Sequence, residues 1–208
     1  MRTTFRELRS YRPCKDGWAM LCNNIIGTDF PEDPENWNEC QLTKKQLDTE
    51  VSILQILESN GVEHAFWAFR TQEYRDYCLI LSDIAESVLH IWEEKYPGDS
   101  RPRDVIETIR QWHAGKATDE ELKAAAASAY AVSAAGASSA DYAAAVASAA
   151  SAASAASGTS DAGASVVVYA AYAAAYAAAY AVSTVVVYGG KKQWEVNERI
   201  LREHLEAA

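Results

Sequence analysis

The sequence is poor in the features that a nucleic-acid binder, a secreted scaffold or a common nucleotide enzyme requires. Its 208 residues hold 19 Lys and Arg against 29 Asp and Glu, a formal net charge of −10 with a pI near 4.9. That balance argues against direct nucleic-acid binding, which needs clustered cations to displace counterions from phosphates. Cys14, Cys22, Cys40 and Cys78 show neither CxxC spacing nor the density of a disulfide scaffold. They read as reduced thiols of a cytoplasmic protein, by default buried as small hydrophobes. The first 18 residues lack the continuous apolar core of a signal peptide. Walker loop, GxGxxG, GxSxG and HExxH are all missing, so the expected mode of action is binding without turnover, with no cofactor and no catalytic metal.

What is abundant is alanine. From Ala124 to Tyr188, alanine, serine, tyrosine and valine almost exclude other residues, and Asp141 and Asp161 are the only charges. Alanine is the best helix former because it loses no rotamer freedom, and methyl-sized side chains let helix axes come close. The tract is expected to form two or three tightly packed helices, broken near Gly136 and across Ser157–Asp161. Tyr169, Tyr172, Tyr176 and Tyr180 recur at three and four and would line one helix face. They suit a core, or a cleft for a planar ring. The two VVVY runs, 166–169 and 185–188, read as helix but are β-branched enough for short strands. Serine and tyrosine interrupt the tract too often for a membrane span.

The rest of the chain carries stronger periodicity. Residues 1–22 read as a short arm, with Arg12-Pro13 ending any helix early, Asp16-Gly17 marking a turn, and Trp18, Met20 and Leu21 anchoring it to the core. Residues 27–39 combine two prolines with many acidic groups and read as a loop. Leu47, Val51, Leu54 and Leu57 predict a helix from Lys44 to Ser59, capped by Thr43 and stopped by Asn60-Gly61. A second helix runs from Val62 to about Thr71. The clearest amphipathic pattern lies between Glu73 and Tyr96, where Tyr77, Ile80, Leu81, Ile84, Val88, Ile91 and Trp92 repeat on one face. Pro97-Gly98 ends it. Asp99 or Ser100 caps the next helix, Pro102 fits its first turn, and Val105, Ile106, Ile109 and Trp112 point inward. Thr118 and Glu121 form a capping box. Gly189-Gly190 is read as a stop before a last amphipathic helix carrying Trp194, Ile200, Leu201 and Leu205.

These residues together resemble the alanine-rich "putative immunity protein" family of bacterial polymorphic-toxin neighbourhoods and phages. The likeness rests on Pro13 to Trp18, Ile53-Leu54, Leu57 to Gly61 with Trp67 and Arg70, and Val88 to Glu93 leading to Tyr96-Pro97-Gly98-Asp99. It continues through Arg101-Pro102-Arg103, Ile106-Glu107, Gly115 to Thr118, the alanine array, and Trp194, Arg199, Ile200 and Leu201. The resemblance implies a toxin-neutralising or conflict-system role. Where relatives place Arg, Asp, Glu and Trp among the alanines, this chain has mostly Ser, Tyr and Val, which removes charged contacts from the array.

The expected fold is all-α: an acidic helical domain over 1–122, an Ala/Ser/Tyr-rich helical array over 123–190 and a C-terminal capping helix over 191–208. The expected function is stoichiometric neutralisation of a toxin or defence protein, with Phe30, Glu32 and Trp37 as partner-binding candidates because an aromatic anchor in a charged rim is a common hot-spot composition. A second reading is an anti-defence protein that sequesters a small signalling nucleotide, using Arg101, Arg103 and Arg110 for phosphate and Tyr169, Tyr172, Tyr176 and Tyr180 for the base. A third is a self-associating structural protein; a homo-oligomer fits all three. Asp83, Glu86 and His90 share one side of a helix, which suits either a polar surface or a metal or acid–base pair, and Arg101, Arg103 or Arg110 could pair with Asp83 or Glu86 from the preceding helix, or bind an anion. Pro13 to Trp18 reads first as a turn and anchor; the alternative, Cys14 as an activated thiol beside His64, His90 or His113, has nothing in the spacing to select one histidine.

Overall fold

A computed structural model describes residues 1–28, 42–122, 124–125 and 189–207. The described residues are predominantly helical, with one two-stranded ribbon. The chain divides into two compact units, Met1–Gln72 with Leu205–Ala208, and Glu73–His204. Most of the expected alanine array, with its VVVY runs and tyrosine stripe, lies outside the described residues, as do Phe30, Glu32, Trp37 and Cys40.

In the first unit the N-terminus is built into the fold and is not an arm, while Trp18 and Leu21 are buried as the expected anchor and Met20 is exposed. Strand β1 (Arg2–Thr4) pairs antiparallel with β2 (Glu50–Ser52), Thr3 facing Val51. Helix α1 (Phe5–Ser10) follows at once, opened by a capping box between Thr4 and Glu7. Helix α2 (Lys15–Leu21) runs straight through the Asp16-Gly17 pair, and a π-helical turn (Cys22–Ile26) extends it to a left-handed Gly27. Phe5, Leu8 and Trp18 are buried, and the Phe5 and Trp18 rings meet edge to face at 5.7 Å. The reason for the difference is non-local: the turn residues are overruled by aromatic burial that residues far along the chain complete.

The single helix expected over 44–59 is two helices with the second strand between them, α3 (Lys44–Leu47) and α4 (Ile53–Asn60). Thr43 does cap α3, in a reciprocal box with Gln46. Ser52 then caps α4 by accepting from the Gln55 amide, so a new helix starts where the periodicity seemed continuous. Val51, fully buried, belongs to the ribbon. Helix α5 (Val62–Ala68) tightens into a 3₁₀ turn, Phe69–Thr71. Arg70 lies over the Trp67 ring at 4.4 Å.

The second unit is built on α6 (Tyr74–Lys95) and α7 (Arg101–His113). Tyr77, Ile80, Leu81, Ile84, Val88 and Trp92 of α6 are buried, as are Val105, Ile106, Ile109 and Trp112 of α7. Local bonds fix the five-residue link between them: Trp92 Nε1 donates to the Asp99 carbonyl at 2.9 Å, the Asp99 amide donates to the Tyr96 carbonyl at 3.0 Å, and the Asp99 carboxylate accepts from the Arg101 amide at 3.2 Å. Glu93 meets Arg103 near the link, Glu86 meets Arg110 further away, and Arg75 lies over the Trp112 ring at the far end. The hairpin is therefore antiparallel. Thr118 and Glu121 form the expected box at the start of another helical turn. Helix α8 (Gly189–Ala207) begins at the glycine pair that was read as a stop. Gln193 of α8 donates to Ser87 of α6 at 2.9 Å, and Ile200 and Leu201 are buried.

Candidate functional site

The charged face of the α6–α7 hairpin gathers the three arginines singled out from the sequence, and carboxylates meet all three. Arg101 pairs with Asp99, and Arg103 holds Glu93 through two bonds of 2.6 and 2.9 Å. Hydrogen bonding from Arg103 keeps the Glu93 carboxyl below the usual range, and Arg101 does the same for Asp99. Arg110 uses one nitrogen, Nη2, to reach both Asp83 Oδ1 and Glu86 Oε2 at 2.6 Å. Helical spacing explains this bridge: residues three apart on α6 share a face, and an arginine on the antiparallel α7 sits opposite both. The Glu86 and Asp83 carboxylates hold Arg110 still more firmly protonated than usual.

A fourth group enters from a distance. His204 of α8 places Nε2 at 2.7 Å from Asp83 Oδ2; because a carboxylate can only accept, the nitrogen carries the proton in this bond. The histidine next to Asp83 and Glu86 in sequence, His90, is exposed and takes no part in that cluster. Among the described residues, no three His, Cys, Asp or Glu side chains are arranged to hold a metal ion. His204 was out of reach for sequence reasoning, because 121 residues separate it from Asp83.

Beside the cluster lies a shallow groove of about 270 Å³. Leu89 and Ile106, each 2% exposed, form its floor. Glu86, Arg103, Asp104, Glu107 and Arg110 form its walls. Asp104 and Glu107 are exposed on α7 and have no ion-pair partner among the described residues, although Asp104 Oδ2 accepts from the Ser100 hydroxyl at 2.9 Å. The groove offers an apolar strip edged by two unmatched carboxylates, a setting suited to the stem and cationic head of a lysine or arginine. Phe30, Glu32, Trp37 and the four array tyrosines cannot be placed relative to it, since they lie outside the described residues. No described helix is long and apolar enough to cross a membrane.

No curated protein and no solved structure gives a match to the chain. The family model described as "Imm-5 like putative immunity protein" matches residues 69–203, which takes in all of α6 and α7, the groove, and α8 almost to its end. With well over half of its length matched, the chain belongs to the Imm-5 like putative immunity protein family.

Proposed function

We propose that the protein neutralises a toxin or defence protein by binding it one to one and covering a basic functional surface, without turnover. The observation that carries this reading is the groove on the α6–α7 hairpin, inside the family-matched segment, with Asp104 and Glu107 unmatched above an apolar floor. A net charge of −10 steers a basic partner toward the molecule. The ion pairs favour a protein partner over a phosphate ligand: Arg103 and Arg110 already face carboxylates, and an incoming phosphate would meet Glu86 and Glu93 as like charges. Phe30, Glu32 and Trp37 stay interface candidates on sequence grounds.

The test is co-expression with candidate toxins, followed by titration of toxic activity against the purified protein. Inhibition should saturate at one equivalent. Reversing Asp104 and Glu107 together to lysine should weaken binding at least tenfold, about 1.4 kcal/mol or more, with an unchanged circular dichroism spectrum. Inhibition at far below one equivalent, or recovery of a co-purifying nucleotide and no protein partner, would overturn the reading.

A further inference from the structure

The first unit, almost all of which precedes the family-matched segment, contains a second chemically equipped cluster. Cys14 is exposed, whereas Cys22 and Cys78 are buried. Its Sγ lies 3.8 Å from His64 Nε2. The other ring nitrogen, Nδ1, is 2.8 Å from the Asn60 carbonyl. A carbonyl oxygen can only accept, so in the neutral ring Nδ1 carries the proton and Nε2 presents its lone pair to the sulfur. This is the arrangement of a thiol beside a base whose tautomer and orientation are set by a third group.

The surroundings hold that arrangement in place. Asn60 fixes the ring through its carbonyl and, through its side-chain amide, donates to the Gly17 carbonyl at 2.7 Å. One residue thus ties the histidine to the helix that follows Cys14. Gly17 leaves the space the ring occupies: a Cβ there would stand 2.5 Å from His64 Cδ2 and Nε2 and 3.0 Å from Cys14 Sγ. Any side chain at 17 has to displace the imidazole from the thiol. Neither the charged groove nor partner occlusion involves these residues.

We propose that Cys14 is a nucleophilic modification site, with His64 as its proton acceptor, that exchanges with low-molecular-weight disulfides to form a reversible mixed disulfide. As Cys14 Sγ attacks one sulfur of the disulfide, its proton passes to His64 Nε2. The new bond joins Cys14 Sγ to that sulfur, the original S–S bond breaks, and the departing thiolate takes the proton from His64. Cys14 is oxidised and half of the small disulfide is reduced to thiol. A reducing thiol reverses the step.

The experiment uses the full chain and oxidised glutathione, with the mass increment mapped to the peptide containing Cys14. The native protein should form the adduct about tenfold faster than the same chain unfolded in urea at the same pH, since an unassisted thiol at neutral pH is only a few per cent thiolate. His64→Gln should bring the native rate down to the unfolded-chain rate. Gly17→Ala, which keeps both reacting groups but pushes the ring away, should do the same. A native rate no higher than the unfolded rate, or folded variants that react as fast as wild type, would overturn the proposal. Should neither variant fold, the comparison within the wild-type chain decides alone.

Discussion

Replacing Arg110 with methionine removes the guanidinium that joins α7 to α6 while keeping most of its aliphatic stem. Two charge-assisted hydrogen bonds are lost, each 2.6 Å long. Such bonds contribute about 1.5–3 kcal/mol when enclosed and about 0.2–1 kcal/mol when exposed. The side chains of Arg110, Asp83 and Glu86 are 32%, 35% and 44% exposed, which places these between the limits. About 1 kcal/mol for each gives a loss of about 2 kcal/mol. Asp83 and Glu86 are then left as like charges three residues apart, which adds a few tenths, and Asp83 keeps its hydrogen bond from His204 Nε2. Urea unfolding, followed through hydrogen exchange of α6 and α7 amides so that the two units are read separately, measures the change. In a double-mutant cycle with Asp83→Asn, the coupling should be about 1 kcal/mol and should shrink in high salt. A coupling below about 0.3 kcal/mol, or a variant as stable as wild type, would refute this reasoning.

Gly61 has φ +84° and ψ 176° with no atom within 4 Å of where a Cβ would stand, so Gly61→Ala should cost about 1–3 kcal/mol through backbone strain alone. Gly98, equally open but without positive φ, should tolerate alanine within about 0.5 kcal/mol in the same thermal melts. Burial pushes the Cys78 thiol up to about 12, so its alkylation at pH 8 should be negligible in the folded chain and rise only with urea; rapid labelling of the native protein would contradict the packing of α6. Glu93 and Asp99 are held below the ordinary carboxylate range by Arg103 and Arg101. Their contribution is fully present above the unfolded value of about 4 and is lost as pH falls through the lower folded values. The hairpin should therefore weaken below about pH 4, and Arg103→Gln should flatten that acid limb in a series of urea midpoints.

Legibility in the sequence followed the range of the interactions involved. The 74–95 and 101–113 helices are encoded by repeats that stay in register for their whole length and by a Pro97-Gly98 stop, and both stand within a residue or so of where they were expected. That an arginine of the second helix would meet Asp83 or Glu86 was readable too, but not which one: Arg110 does, whereas Arg101 and Arg103 take Asp99 and Glu93 nearer the link. The region 44–59 was misread because Val51 fits a helical stripe equally well. What decides its conformation is a strand partner 48 residues earlier. The Asp16-Gly17 pair failed in the same way: its glycine serves the close approach of His64, a contact that appears only once α5 has packed. Gly189-Gly190 is a third case, a pair of poor helix formers at the start of α8, on which apolar residues further along are buried.

The acidity of the second unit separates into two kinds of carboxylate, and the difference limits what a partner can use. Asp83 gives one oxygen to Arg110 of α7 and the other to His204 of α8, so it is a junction between three helices. Glu86 shares the same guanidinium, Glu93 is engaged by Arg103, and Asp99 by Arg101. A basic side chain approaching any of these must first compete with a cation already in place, and the helix contact it would break offsets the bond it would make. Gln193 and Asn197, buried on α8, bond to each other, and Gln193 also reaches Ser87, so the third helix adds no charge of its own at that contact. Asp104 and Glu107 differ, since no cation is paired with them among the described residues. Under the proposed function, the formal charge of −10 would set the long-range attraction, while the short-range contact on this face would fall to those two side chains and the apolar strip between the helices. Neutralising Glu86 should accordingly cost stability more than affinity, and neutralising Glu107 affinity more than stability. If the two variants were to lose affinity alike with equal stability, the groove would not be where the partner docks.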